Sequence, residues 1–151
     1  MRQILSRTRL VVSLIFLGGI TAMAHADTTD SADTRISLGL TQSERAEFLA
    51  QMRQMLTSVE GIVSGIGVED REKIAVAARN SGNRMARATP ASVRAKLPQA
   101  FKDLGGPTHM AFEEIAIRAE SDPIFDTDGL TKLTGETMRQ CIACHALFRA
   151  D

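Results

Sequence analysis

Nine apolar side chains recur at three- and four-residue steps over residues 48–66, and this pattern restricts the fold more than any other feature of the chain. They are Phe48, Leu49, Met52, Met55, Leu56, Val59, Ile62, Val63 and Ile66. Such spacing places apolar groups along one face of an α-helix. The preceding Thr41-Gln42-Ser43-Glu44 has the form of a capping box, which begins a helix by satisfying free amide groups. The sequence therefore predicts a long first helix, weakened toward its end by Gly61, Gly65 and Gly67.

A second helix follows from the same kind of signal. It is expected to begin near Glu69 and Asp70, because acids suit the positive amino end of a helix. It runs through Met85, and Thr89-Pro90 predicts its end. Residues 90–98 are expected to form a short helical turn within a longer connection.

Two more helices complete the predicted fold. Gly105-Gly106-Pro107 predicts a break in the chain, after which Thr108 caps a third helix. Asp126 or Asp128 caps a fourth helix that continues almost to the end of the sequence. No stretch of strand length alternates between apolar and polar residues. We therefore predict an all-α fold, an antiparallel four-helix bundle over residues 41–151.

The first 26 residues have the composition of a secretory signal peptide. Residues 1–9 carry three arginines, residues 10–24 are almost wholly apolar, and Ala24-His25-Ala26 matches the small-x-small cleavage pattern. The alternative is a transmembrane anchor, for which about 20 apolar residues are needed. We expect export to the bacterial periplasm, a flexible polar leader over residues 27–40, and no stable membrane insertion.

Charge and composition exclude several classes of function. The chain has 18 bases and 18 acids, and three of the bases fall in residues 1–26, so the mature chain has a net charge of about −3. A nucleic-acid binder needs a basic face, so we expect no nucleic-acid partner. The sequence contains no paired catalytic carboxylates, nucleophile triad or phosphate loop. These observations predict a single binding domain that is not an enzyme.

The chemistry-bearing residues lie near the carboxyl end. Cys141-Ile142-Ala143-Cys144-His145 is a Cys-x-x-Cys-His motif, the attachment signature of c-type haem. Positions i, i+3 and i+4 share a helix face, so two thiols can reach two vinyl groups of one porphyrin. The imidazole of His145 then binds the iron as an axial ligand. The motif predicts one covalently attached haem c on the last helix.

Two other interpretations of the cysteines are open. A redox disulfide is expected beside a strand-helix-strand pattern, which this sequence does not contain. A structural zinc ion needs four ligands, and the chain outside the signal peptide offers only the two cysteines with His109 and His145. Both alternatives are weaker than haem attachment, because both cysteines of the chain fall inside one Cys-x-x-Cys-His motif.

The run from Cys141 to Arg149 resembles the end of class II c-type cytochromes, which comprise cytochrome c-prime and its low-spin relatives. Other c-type cytochromes mostly carry the motif near the amino end. The resemblance implies a four-helix bundle with the haem on its last helix, redox partner proteins, and homodimer formation. It also implies that Arg149 lies near the haem and His145.

The resemblance leaves the sixth iron ligand open. It matches Met52 to the first-helix position that faces iron, although Met52 also fits a simple core role in the apolar stripe. Met55, His109 or a vacant position are the alternatives. Family members often carry a base at the position of Phe48, so the resemblance leaves the haem propionates either to another base, such as Arg45 or Arg53, or exposed to solvent.

Two functions follow from these alternatives. With His145 and Met52 as ligands, the protein is a periplasmic electron carrier, because a thioether ligand raises the haem potential. With a vacant sixth position, it binds nitric oxide or carbon monoxide in an apolar distal pocket. A peroxidase is the third alternative, and His109 is its only candidate acid-base group.

Overall fold

The computed structural model describes residues 33–122 and 124–151, and this part of the chain is mostly helical. The helices are α1 (Gln42–Gly67), α2 (Arg71–Arg79), α3 (Asn83–Ala88), α4 (Ala91–Lys96), α5 (Gln99–Ser121) and α6 (Thr127–Leu147). Two short strands, β1 (Ile36–Ser37) and β2 (Phe148–Arg149), complete the order of elements. The all-α prediction is confirmed. The predicted signal peptide (1–26) and residues 27–32 of the leader lie outside the described residues.

Helix α1 begins as the capping box predicts. The side chain of Thr41 accepts a hydrogen bond from the Glu44 amide, and Glu44 Oε2 accepts one from the Thr41 amide at 2.8 Å. Lys96 of α4 adds an ion pair to the same carboxylate. Lys96 and the Thr41 amide together lower the pKa of Glu44 to about 2. The start of α1 is therefore fixed to α4, which forms part of the wall described below.

Four helices contact one another in a ring: α1 packs on α2, α2 on α5, α5 on α6, and α6 on α1. The largest fully buried side chain is Phe112 of α5, which lies in one core cluster with Ile62 of α1, Ile74 of α2 and Leu130 of α6. Each of the four helices thus contributes its apolar face to one core, as the periodicity of the sequence predicts.

The second predicted helix is shorter than expected. Helix α2 ends at Arg79, and Met85 belongs to the separate helix α3. Two buried polar contacts stabilise the break: Ser81 Oγ donates to Ser58 Oγ at 2.8 Å, and the Asn83 amide donates to the Glu113 carboxylate at 3.2 Å. Hydroxyls and carboxylates that satisfy the backbone between helices make this break favourable, and they come from distant parts of the chain.

The predicted break at Gly105-Gly106-Pro107 is wrong, because α5 runs without interruption from Gln99 to Ser121. A proline inside a helix removes one hydrogen bond, here to the carbonyl of residue 103, which is exposed to solvent. Thr108 does not cap a helix; its hydroxyl instead contacts the Leu104 carbonyl at 2.8 Å. Burial of the apolar residues that follow outweighs the local cost of the two glycines and the proline.

The leader prediction is also wrong for residues 36–40, which we call the strap. Strand β1 pairs in parallel with β2, with Ile36 opposite Phe148, and the Leu38 amide donates to the Arg149 carbonyl at 3.0 Å. Leu38 and Leu40 are buried, at 4% and 8% exposure. The apolar residues at 36, 38 and 40 alternate with polar or small ones, a signal too short to predict a strand.

The last helix begins where the sequence predicts and ends earlier. The Asp126 side chain caps α6 by accepting a hydrogen bond from the Gly129 amide at 2.8 Å. The helix ends at Leu147, and the following two residues form β2. Within residues 33–122 and 124–151, no helix is both long enough and apolar enough to span a bilayer.

Two glycines of α1 allow α2 to approach closely. A Cβ atom at Gly61 would lie 2.7 Å from Ala77 Cβ, and one at Gly65 would lie 2.6 Å from Ile74 Cγ1. Both distances are shorter than van der Waals contact. The sequence predicts that these glycines weaken the end of the helix, whereas they lie inside it and set its distance from α2.

Replacing Gly61 with alanine is therefore expected to destabilise the fold. We expect Gly61→Ala to lower the free energy of unfolding by about 1–3 kcal/mol, because the added methyl group forces α1 and α2 apart. Gly67→Ala is the matched control, since a Cβ there meets no atom within 4 Å. Urea unfolding followed by circular dichroism measures both variants. A Gly61→Ala midpoint equal to that of the natural protein would contradict the close approach.

Candidate functional site

The Cys-x-x-Cys-His motif opens onto the main cavity of the molecule, which has a volume of about 740 Å³. Its walls come from α1, α3, α5, α6 and the segment around α4, and most of its lining is apolar. Cavities of this size are typical of sites for small molecules and cofactors. Leu56 and Ile142 line the cavity and are 70% and 67% exposed, so its mouth is an apolar surface.

The two thiols lie on the cavity wall as their spacing predicts. Cys141 and Cys144 are half-buried, occupy the last two turns of α6, and both line the main cavity. The Cys141 thiol lies 3.5 Å from the Thr137 carbonyl, to which it donates. Positions i and i+3 of a helix share a face, which is why both sulfur atoms reach one cavity.

Burial controls the acidity of these thiols. It raises the pKa of Cys141 and, together with the charge of neighbouring Cys141, the pKa of Cys144. Cysteines of redox Cys-x-x-Cys motifs have a lowered pKa, because the thiolate is the reactive form. Burial thus disfavours the thiolate form of both cysteines, which line an apolar cavity.

His145 completes the predicted set on α6. It lines the main cavity beside Cys144, and it also lines a second, smaller cavity of about 260 Å³. Its backbone carbonyl accepts a hydrogen bond from Arg35 Nη1 at 3.3 Å. The segment that leads into the strap thus fixes the backbone of the last turn of α6.

The opposite wall of the main cavity is the apolar stripe of α1. Met52 and Met55 both line it, and Met52 also lines the smaller cavity with Cys144 and His145. Met52 is half-buried and packs against the core cluster that contains Phe48. The structure therefore brings Met52 to the same spaces as the motif, and it also gives Met52 the core contacts of the simpler interpretation.

Arg149 lies at the smaller cavity, which it lines together with Met52, Cys144 and His145. Its guanidinium forms an ion pair with Asp151 at 2.8 Å and donates to the Arg35 carbonyl at 3.4 Å. The predicted proximity of Arg149 to His145 agrees with this arrangement. Pairing of β1 with β2 holds the Arg149 backbone in position.

His109 lines the main cavity from α5, one turn away from the glycine pair. Its Nδ1 lies 2.7 Å from the Ser81 carbonyl. A carbonyl only accepts hydrogen bonds, so Nδ1 carries the proton and Nε2 of the neutral ring keeps its lone pair. Histidines that bind metals are commonly oriented in this way.

The bases that line the main cavity are not those predicted from the sequence. Arg94 of α4 and Lys102 of α5 line it, whereas Arg45 and Arg53 do not. Arg45 instead donates from Nε to the Ala150 carbonyl at 2.7 Å. No local pattern identifies Arg94 and Lys102 as cavity residues, because they flank the corner between two helices whose packing is decided by distant contacts.

A metal site built only from side chains has too few ligands in the described part of the chain. Within residues 33–122 and 124–151, no three His, Cys, Asp or Glu side chains are grouped so as to hold a metal ion. A zinc site with four protein ligands is therefore not found among these described residues.

The fold and site define a class of protein: an all-helical domain with a large apolar cavity lined by a Cys-x-x-Cys-His motif. Comparison with known proteins finds no matching family model, no matching curated protein and no matching solved structure.

Proposed function

We propose that this protein is a periplasmic c-type cytochrome that transfers single electrons through one haem c. The haem is attached to Cys141 and Cys144, and His145 and Met52 are its axial ligands. The proposal adopts the class II arrangement, in which the ring formed by α1, α2, α5 and α6 is an antiparallel four-helix bundle. Export rests on the signal-peptide pattern of residues 1–26.

One observation carries the proposal: both thiols and His145 line a large apolar cavity whose opposite wall contains Met52. A porphyrin needs such a cavity because most of its surface is apolar. The two half-buried thiols line that cavity together, so each can add across one vinyl group of the same porphyrin to form a thioether. A cavity of about 740 Å³ lined by apolar groups loses packing contacts unless a ligand fills it. These features therefore fit a bound haem.

When bound, the haem supplies the one-electron couple of its iron. The residues of the chain hold and surround it. His145 and Met52 would hold the iron, the thioether of Met52 would favour its reduced state, and the α1 stripe would limit the access of water. Leu56 and Ile142 form an exposed apolar rim at the mouth, of the kind that weak redox complexes use. Redox partner proteins and homodimer formation are further proposals that rest on the resemblance.

A five-coordinate protein that binds nitric oxide or carbon monoxide is the alternative function. The observation that favours it is the row of apolar side chains beside Met52, namely Phe48, Met55, Leu56 and Val59, along the same wall. This row of side chains offers no hydrogen-bond donor to a bound gas, and the polar side chain of α1 that lines the same cavity is Gln51. The two functions differ in whether Met52 binds the iron, so one spectrum separates them.

The test is to express the full chain in a bacterium that matures c-type cytochromes and to isolate the periplasmic fraction. We expect a coloured protein with the mass of residues 27–151 plus one haem, a low-spin ferric spectrum and a weak sulfur-to-iron band. A high-spin ferrous form that binds carbon monoxide without losing a ligand would support the alternative. A colourless protein with the mass of the bare polypeptide would overturn both.

A further inference from the structure

We infer that Arg94 and Lys102 bind the two carboxylates of the tetrapyrrole, at the corner where α4 meets α5. This inference rests on the proposed function and names residues that the resemblance to class II cytochromes does not imply. The charged side chains that line the main cavity are all basic. Arg94 and Lys102 line that cavity, and no Asp or Glu of residues 33–122 and 124–151 does.

Both bases are free to meet an anion. None of the ion pairs within the described part of the chain involves Arg94 or Lys102. By contrast, Lys96, on the same helix as Arg94, is paired with Glu44. A cavity that combines apolar walls with two unneutralised bases has the chemistry of a large apolar ligand that carries carboxylates.

The backbone orients one of the two bases. Arg94 Nη1 donates to the Thr89 carbonyl at 2.6 Å and contacts the Arg87 carbonyl at 3.3 Å. These bonds fix the guanidinium at the end of α3, and its other nitrogen donors make no further hydrogen bond within residues 33–122 and 124–151. A guanidinium held in this way suits a carboxylate, because it presents its remaining N–H groups in a fixed fork.

The glycine pair of α5 fits the same ligand. Gly106 lies one helical turn after Lys102, and both line the main cavity. A Cβ atom at Gly106 would meet nothing within 4 Å, whereas each glycine inside a helix costs roughly 1 kcal/mol relative to alanine. Gly106 therefore leaves one turn of α5 without a side chain on the cavity wall, beside the two bases. A flat ring can approach the helix closely at this turn.

The test measures binding of haem and of its dimethyl ester, in which both carboxylates are blocked. We expect the Cys141→Ala/Cys144→Ala variant of the full chain to bind either pigment without a covalent bond. We expect it to prefer haem over the ester about three- to tenfold, since both bases are exposed and each contact is weak. Adding Arg94→Gln/Lys102→Gln should remove the preference, whereas the charge-conserving Arg94→Lys/Lys102→Arg should keep it.

Arg84→Gln/Lys132→Gln is the matched control, because it removes the same two charges from exposed residues that do not line the cavity. An unchanged preference in Arg94→Gln/Lys102→Gln would overturn the inference and leave the proposed function standing. Absence of haem from the natural chain would overturn both. If the cysteine variant binds neither pigment, the test uses the protein with covalently attached haem. In that protein, Arg94→Gln/Lys102→Gln should lower the midpoint potential below that of the control variant. Equal potentials would overturn the inference.

Discussion

Cys141→Ser/Cys144→Ser is expected to lose all covalently held haem. Thioether bonds form only at the two sulfur atoms, and the chain contains no other cysteine. Acid-acetone extraction should then remove the pigment from the double variant, whereas it leaves the natural protein coloured. Each single variant should keep one thioether and resist extraction in part. Absorbance of the extracted pellet, together with the intact mass, measures the outcome.

Ala143→Ser is the matched control for this experiment. It places a hydroxyl inside the same motif at an exposed position, one residue from Cys144, without removing either sulfur. We expect its haem content to equal that of the natural chain. Colour that stays on the polypeptide of the double cysteine variant after extraction would show that the attachment lies elsewhere.

Met52→Ala is expected to convert the ferric haem from low spin to high spin and to abolish the sulfur-to-iron band. The thioether of Met52 is the only axial donor that the proposal assigns to α1, and its removal leaves an open position. The midpoint potential should also fall, because a thioether ligand raises it. Absorption spectra and redox titration measure both changes. The side chain is half-buried, so we expect the helical fold to remain.

Two further variants identify the ligand if the prediction is wrong. Met55→Ala removes a second thioether from the same wall of the main cavity and should leave the band in place. His109→Ala removes the imidazole whose Nε2 is kept free by the Ser81 carbonyl. If His109→Ala loses the low-spin spectrum and Met52→Ala keeps it, the sixth iron ligand is His109 of α5 and not Met52.

The sequence predicted those features whose stabilising contacts lie within a few residues. The capping box at Thr41 and the cap at Asp126 depend on hydrogen bonds to amides three residues away, and the structure contains both. The shared face of Cys141 and Cys144 follows from helix geometry alone. The long stripe of α1 likewise predicted the burial of Phe48 and Ile62, although Leu56 and Val63 of the same stripe are exposed.

Other features depend on contacts between distant residues, and the sequence alone predicted them poorly. The continuity of α5 through Pro107 is set by burial against other helices, which outweighs a local signal for a break. The strap is ordered because Leu38 and Leu40 find an apolar surface at the other end of the chain. Local helix or strand propensity predicts neither the continuous α5 nor the ordered strap.

By itself, the sequence determined the helical class, the start of the first and last helices, and the shared helix face of Cys141 and Cys144. Only the tertiary structure decided which wall faces these cysteines, which bases line the cavity, and which tautomer His109 adopts. Periodicity and caps act over one or two turns, so they can be read directly. A cavity is formed by packing of helices that are far apart in sequence, and its lining is fixed only when all of them are in place.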